Sequence, residues 1–176
     1  MVSHYRDVRI IDQEDLPTPV IMSQLFEKLH HGLVPESSRR IAVSFPEIGV
    51  TLGSLLRLHG TADDLQSFGL DWVGRLLIRM VRCGGVFTAP PEASSKVFRR
   101  VQPRAGGERW LRRWEKRHGD ELPRQVPKAE RISAPFAQIR SKSTGHTLRL
   151  FIVMDDPKQD RDRPNSYGLG CPVPLF

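Results

Sequence analysis

Two pairs of residues in this sequence could take part in acid–base chemistry. One is a pair of adjacent histidines, and the other is a pair of serines much later in the chain, separated by one residue. His30 and His31 follow an apolar-periodic segment, while Ser141 and Ser143 lie in the run Arg-Ser-Lys-Ser-Thr-Gly. With an unperturbed pKa of about 6.5, a histidine can take or give a proton near neutral pH. One such group beside a ribose 2′-hydroxyl would let RNA cleave at its neighbouring phosphate. From spacing alone, the pattern favours ordinary helix-end histidines and turn serines that satisfy backbone donors.

Other common chemistries lack their sequence signatures. The chain contains no Walker loop, no GxGxxG after a strand and no GxSxG nucleophile elbow. No group of His, Cys, Asp and Glu has the spacing of a metal site, and Cys83 and Cys171 lie far apart. We therefore expect neither a metal nor an organic cofactor. Two isolated thiols indicate a reducing compartment.

A strongly basic segment at residues 108–118 predicts a helix with its cations on one face. The cations recur at i, i+3, i+4, i+7 and i+8, and they are Arg109, Arg112, Arg113, Lys116 and Arg117. Like charges on one face repel by roughly a few tenths of a kcal/mol per pair, so the arrangement favours a polyanionic partner such as nucleic acid. On the opposite side, Trp110, Leu111 and Trp114 are expected to anchor the helix. The alternative is a solvated helix on which cations merely cluster.

The positive charge of the chain is concentrated in its second half. Residues 96–149 contain 15 Lys or Arg against 5 Asp or Glu, whereas the whole chain carries +7, so the remainder is net acidic. No apolar run approaches the roughly 20 residues that a membrane span needs, and the N-terminus lacks a signal-peptide pattern. We expect a cytoplasmic protein without a membrane partner.

The first half of the chain alternates strand and helix patterns. Alternating apolar residues predict a strand at Tyr5–Ile11, and Thr18 as N-cap with Pro19 at the first helical position predicts a long helix with an apolar stripe. The remaining elements are predicted as strands at 41–45, 55–59 and 76–82 and as a second helix at 61–67. The order β-α-β-β-α-β is that of the ferredoxin-like (RRM-like) fold.

Residues 89–95, Ala-Pro-Pro-Glu-Ala-Ser-Ser, are typical of a linker. They predict a ferredoxin-like domain at 1–90 and a smaller α+β domain at 91–176 that carries the arginine-rich helix. In this second part we predict strands at 96–102, 136–140 and 148–154, a tight turn at 143–145, and an irregular or briefly helical stretch at 123–135. The fold class is therefore α+β.

Several short motifs occur in the order and spacing of one known family. Each is weak alone, but together they extend over nearly the whole chain: Gln24-Leu-Phe-Glu-Lys-Leu-His30, Ile41-Ala-Val-Ser-Phe-Pro46, Leu56-Arg-Leu-His59, Arg100-Val-Gln102, Arg140-Ser-Lys-Ser-Thr-Gly145, Arg149-Leu-Phe-Ile152 and Tyr167-Gly-Leu169. In these residues the chain resembles the CRISPR-associated endoribonucleases of type I-F (Ypest subtype) systems, which cut the repeat hairpin of the precursor transcript.

The resemblance implies roles for particular residues. His30 matches a catalytic histidine that handles the 2′-hydroxyl proton, Ser141 matches a serine that holds the ribose, and Tyr167 matches an active-site tyrosine. Arg100 and Gln102 match side chains that read purine edges. With the basic helix in the groove of the stem, the implied RNA contacts also include Arg109, Arg112, Arg113, Lys116, Arg117, His118 and Ser143.

The resemblance also implies a reaction and partners. The expected reaction needs no metal and gives a 2′,3′-cyclic phosphate and a 5′-hydroxyl. The protein, a monomer before assembly, would then stay on the hairpin within the type I-F surveillance complex. Two positions depart from the family: Leu148 replaces a stacking aromatic and Lys116 an arginine. The alternative from another class is a noncatalytic subunit that binds hairpin RNA.

Overall fold

Antiparallel strands and helices make up the chain in the computed structural model, which describes residues 3–34, 40–103, 106–119, 121, 123–128, 131–140, 145–158 and 161–176. The side chain of Arg109 lies outside this description. The elements are β1 (His4–Ile10), α1 (Thr18–Leu33), β2 (Ala42–Ser44), β3 (Leu55–Gly60), α2 (Ala62–Phe68), a 3₁₀ turn (Asp71–Val73), α3 (Gly74–Leu77), β4 (Val81–Cys83), β5 (Phe87–Thr88), β6 (Ser94–Val101), α4 (Gly107–His118), β7 (Phe136–Arg140), β8 (Thr147–Asp155) and β9 (Pro172–Leu175). The predicted α+β class is confirmed.

The first sheet is formed by strands from the N-terminal half. Four of its five strands have the order β2-β3-β1-β4, and the fifth strand, β5, also pairs with β1. β1 runs antiparallel to both β3 and β4, and β2 runs antiparallel to β3. Val8 faces Leu56 across β1 and β3, and both are fully buried. The central strands therefore carry the core of this sheet.

The second sheet has the order β7-β8-β6-β9. On β7, Ala137 and Ile139 are buried while Phe136, Gln138 and Arg140 are exposed, which is the alternation of a strand with one face in the core. The predicted strands at 136–140 and 148–154 are confirmed, the second one extending over Thr147–Asp155. β5 and β9 were not predicted, because strands of two and four residues are too short to show a period.

The long helix α1 buries the predicted stripe. Ile21, Leu25, Leu29 and Leu33 are all buried, together with Met22 and Phe26. The predicted N-cap at Thr18 is wrong by one residue: Pro17 is the N-cap, and no side chain caps the helix there. A proline in the first turn loses no helical bond, because the first amides of a helix have no partner within it, so Pro19 fits either start.

The predicted strand at 76–82 is wrong. Gly74–Leu77 is a short helix and only Val81–Cys83 is a strand. Gly74 has a φ of 77°, which turns the chain between the 3₁₀ turn and α3. Leu77 is buried while Leu76 is 80% exposed, so this helix mimics the alternation of a strand over a few residues. By contrast, α2 is close to its predicted position, with the Thr61 side chain accepting from the Asp64 amide.

The chain divides into two compact units. The first comprises residues 1–100 and 134–176 and includes both sheets, and the second comprises residues 101–133 and includes α4. A domain boundary at residue 90 stays a prediction. In the second unit, the described residues between 123 and 133 form no helix.

Two polar groups lie inside the first unit. Arg57, nearly buried, forms an ion pair with Asp7 at 2.7 Å and donates to the main-chain oxygen of Phe176 at 3.1 Å. Ser44 and His59, both fully buried, share a 2.7 Å hydrogen bond between Oγ and Nε2. Burial, aided by the charge of Arg57, lowers the pKa of His59 to about 3.

The buried His59 makes stability depend on pH. Between about pH 6.5, where an exposed histidine titrates, and about pH 3, the folded state binds fewer protons than the unfolded state. The free energy of unfolding should therefore fall as the pH is lowered through this window, by up to ~1.4 kcal/mol per pH unit. Urea unfolding at several pH values should show a flatter dependence for His59→Gln. The matched change His146→Gln, at an exposed residue, should keep the wild-type dependence.

Candidate active site

The last turn of α1 presents His30. The apolar stripe of the helix ends at Leu29 and Leu33, which are buried, while His30 between them is half-buried at the margin of the stripe. Phe26, one turn earlier, is fully buried beneath the same flank. The packing of α1 therefore fixes the position from which the imidazole projects.

A tight loop near the end of the chain brings Tyr167 to this histidine. The two rings stack, with centroids 4.0 Å apart and planes 15° from parallel. Phe26 lies on the same cluster, with its ring centroid 6.3 Å from that of Tyr167. Stacking of aromatic rings contributes roughly 0.5–1.5 kcal/mol beyond burial and restricts how either ring can turn.

One ring nitrogen of His30 is engaged by the same loop. Nδ1 lies 2.8 Å from the main-chain oxygen of Ser166. His30 is thus held on its face by Tyr167 and on one edge by a carbonyl. Neither the backbone group nor its geometry could be predicted from the sequence, because any residue type supplies a carbonyl oxygen.

Arg100 joins the cluster from β6. Its guanidinium carbon is 5.6 Å from the centroid of the Tyr167 ring, within the range of a cation–π contact. Its Nε is buried and has no hydrogen-bond partner among the described residues. The fold therefore brings together three of the predicted site residues, His30, Tyr167 and Arg100.

The predicted serines Ser141 and Ser143 lie outside the described residues. The strand that leads to them, β7, is hydrogen-bonded to side chains of α1. The Arg140 amide donates to Glu27 Oε2 and the Gln138 amide donates to Ser23 Oγ, each at 3.1 Å. Ser23 and Glu27 are four residues apart and therefore lie on one face of α1. Neither Ser23 nor Glu27 was predicted from the sequence to contact this strand. Two polar residues four apart, beside the apolar stripe of a helix, could have indicated such a contact.

The predicted basic helix is present as α4. Arg112, Arg113, Lys116 and Arg117 are exposed, whereas Trp110, Leu111 and Trp114 are half-buried. Trp114 stacks on Trp110 at 5.1 Å and on His118 at 4.0 Å between ring centroids, and its Nε1 donates to the Glu121 carbonyl. The exposed surface of α4 therefore carries four described cations. Gln102, at the start of the same unit, is also exposed.

The imidazole of His30 is the group at this site that could take or give a proton. Within the described part of the chain, no three His, Cys, Asp or Glu side chains come together as a group that could hold a metal ion. A cavity beside α1, bordered by Glu27, Gly74 and Leu77, contains none of the predicted site residues. No described helix is long and apolar enough to cross a membrane. At the site, the His30 imidazole stacks on Tyr167 and has one ring nitrogen hydrogen-bonded to the main chain.

Comparison with known proteins identifies the family. A family model described as "CRISPR-associated protein (Cas_Csy4)" matches residues 5–176. A relative from Pseudomonas aeruginosa (strain UCBPP-PA14), named CRISPR-associated endonuclease Cas6/Csy4, is 35% identical over 160 residues, which cover 86% of this chain and 85% of that protein. A relative of the same name from Escherichia coli (strain UTI89 / UPEC) is 31% identical over 184 residues, which cover 99% of this chain and 100% of that protein.

These matches extend over most of both chains. The α+β protein described above is thus a CRISPR-associated protein. Within that class it belongs to the Csy4 family, which confirms the resemblance seen in the sequence.

The loop that carries Tyr167 should not tolerate a side chain at Gly168. This glycine has a φ of 75°, and an added Cβ would lie 2.3 Å from Val43 Cγ2. Gly168→Ala should therefore lower the free energy of unfolding by about 2–4 kcal/mol, from the left-handed backbone and the overpacking together. Urea denaturation measures this loss. Gly49→Ala, where nothing lies within 4 Å and φ is not positive, should change stability by much less. Equal effects of the two changes would contradict the close approach at Gly168.

Proposed function

We propose that this protein is a metal-independent endoribonuclease that recognises the CRISPR repeat stem-loop in precursor RNA and cleaves it by attack of a 2′-hydroxyl. The observation that carries the proposal is the imidazole of His30, stacked on Tyr167 and bonded through Nδ1 to a carbonyl. Two relatives named as Cas6/Csy4 endonucleases support the assignment. No cofactor is required by this chemistry.

In the proposed reaction, His30 takes the proton of the 2′-hydroxyl of the nucleotide before the cut. The 2′-oxygen forms a bond to the adjacent phosphorus and the bond from phosphorus to the 5′-oxygen breaks. The leaving 5′-oxygen takes a proton from solvent. The products are a 2′,3′-cyclic phosphate and a 5′-hydroxyl, with Ser141 holding the attacking ribose and Tyr167 supporting the imidazole.

Recognition of the hairpin is proposed to come from two groups of residues. Arg100 and Gln102 read purine edges at the base of the stem, for which bidentate Arg–guanine and Gln–adenine pairs are the expected contacts. The exposed cations of α4 meet phosphates of the stem. The RNA-contacting residues are then Arg100, Gln102, Arg109, Arg112, Arg113, Lys116, Arg117, His118 and Ser143.

The architecture and assembly are proposed on the same basis. We assign residues 1–90 to a ferredoxin-like domain, which the strand order β2-β3-β1-β4 and the antiparallel pairing support. Residues 91–176 form the RNA-binding domain. The protein acts in the cytoplasm, is a monomer before assembly, and remains on the cleaved hairpin within the type I-F surveillance complex.

Replacing His30 by Ala should abolish cleavage of the host's repeat hairpin and leave hairpin affinity largely unchanged. The reason is that the imidazole moves a proton during the reaction but contributes little to binding the stem. Single-turnover cleavage in EDTA, paired with equilibrium binding, measures both. A substrate with a 2′-deoxy nucleotide before the cut should bind and stay intact.

The matched control for this change is His4→Ala, at a histidine on β1, which should cleave like the wild type. Cleavage of the deoxy substrate would exclude 2′-hydroxyl attack. Tight binding without any cleavage by the wild-type protein would instead favour the noncatalytic RNA-binding subunit.

The double change Arg112→Ala with Arg113→Ala should weaken hairpin binding and reduce its salt dependence. Each lost phosphate contact lowers the slope of log K against log salt by roughly 0.7–0.9. Binding isotherms at several salt concentrations measure this slope. The control Arg79→Ala with Arg82→Ala removes the same charge from two exposed arginines of the first unit. If both pairs changed the slope equally, binding would depend on net charge and not on α4.

A further inference from the structure

Asn165, the sole asparagine of the sequence, closes the loop that contacts His30. Its Oδ1 accepts from the amides of Tyr167 at 2.8 Å and Leu169 at 3.2 Å. Its main chain adds two bonds, since its amide donates to the Leu169 carbonyl at 2.8 Å and its carbonyl accepts from Gly168 at 2.9 Å. Four hydrogen bonds from one residue therefore define a turn of only five residues.

The same loop is tied to the core on its far side. The Gly168 carbonyl accepts from the Val43 amide at 2.8 Å, and Leu169 is buried. The Gly170 amide donates to the Phe98 carbonyl at 2.9 Å. Residues 166 and 167, the part of the loop next to His30, thus lie between the turn closed by Asn165 and main-chain hydrogen bonds to β2 and β6. Asn165 itself is half-buried.

The contact between the loop and His30 selects one tautomer. A carbonyl oxygen only accepts hydrogen bonds, so the Nδ1 atom that faces the Ser166 oxygen must carry a hydrogen. A neutral imidazole has a single N–H, which leaves Nε2 with a free lone pair. Because Tyr167 stacks on the ring, rotation about χ2 that would turn Nδ1 away from the Ser166 oxygen is restricted.

We infer that Asn165 is a positioning residue that sets the reactive nitrogen of His30. It holds the Ser166 carbonyl against Nδ1, so that Nε2 is the atom that takes the 2′-hydroxyl proton. The inference rests on the proposed function and deepens it, because it assigns the base to one ring nitrogen. During the reaction the proton passes from the 2′-oxygen to Nε2, and the imidazolium then donates from both nitrogens, Nδ1 still to Ser166.

The tautomer is measured directly by NMR of the intact protein labelled with ¹⁵N-histidine. At about pH 8, where an ordinary histidine is neutral, the protonated and unprotonated ring nitrogens have distinct shifts. The signals of His30 are those missing from the His30→Ala spectrum. We expect the Nδ1–H form in the wild type. An Nε2–H form would overturn the inference without reference to any cleavage assay.

Kinetics of loop variants test the role of Asn165. Asn165→Ala should slow single-turnover cleavage roughly 10- to 100-fold, the effect expected when a reacting group is displaced by about 1 Å. Affinity for the uncleavable 2′-deoxy hairpin should not change. Asn165→Asp keeps an acceptor for the amides of Tyr167 and Leu169, so it should recover most of the rate. Gln66→Ala, which removes an exposed amide side chain on α2, is the matched control.

The outcomes separate this inference from the proposed function. A slow Asn165→Ala variant with mixed His30 tautomers, and its rescue by Asp, would support the inference. Wild-type rate with the Nδ1–H form retained in Asn165→Ala would overturn it. If Asn165→Ala fails to fold, the wild-type NMR result and the Asp variant still decide. If the wild type does not cleave the hairpin, the proposed function fails while the tautomer measurement stands on its own.

Discussion

The structure of the site depends on the close approach of the main chain at Gly168 to strand β2. Any Cβ at residue 168 would overlap Val43, and the two residues share a 2.8 Å main-chain hydrogen bond. This contact joins segments that are distant in sequence and places the following residue, Leu169, in the core. Because the loop is anchored there, Tyr167 and the Ser166 carbonyl reach His30 at fixed distances. Without the anchor, the histidine would remain an ordinary residue at a helix end.

The two parts of the proposed function require different degrees of precision. Proton transfer needs atoms placed to within a fraction of an ångström, and the site accordingly uses a packed helix, an aromatic stack and a loop closed by Asn165. Attraction to phosphates acts over about 10 Å at ordinary ionic strength and tolerates small displacements. The exposed cations of α4 suit that task. Within α4, the stacked rings of Trp110, Trp114 and His118 hold successive turns of the helix together.

Long elements with a clear period were predicted well, and short ones were not. The six buried positions of α1, the capped helix α2 and the alternating strand β7 appear as the sequence indicated. The strand predicted at 76–82 failed because four helical residues and a following strand imitate one alternating segment. β5 and β9 carry too few residues for any pattern. Their existence depends on partners elsewhere, β1 for β5 and β6 for β9, whose main-chain groups complete them.

By itself the sequence determined the α+β class, the amphipathic helices, the concentration of positive charge and the family resemblance. Composition and periodicity are local properties, and a hydrophobic stripe or a row of cations specifies its own helix. Among the histidines, the family resemblance singled out His30, but only the tertiary structure showed how their surroundings differ. His59 is buried and hydrogen-bonded to Ser44, and burial lowers its pKa to about 3. His30 is half-buried, stacks on Tyr167 and is hydrogen-bonded to the Ser166 carbonyl. Those differences come from contacts between distant segments, several of them through main-chain atoms that every residue type possesses, and such contacts leave no mark on the sequence.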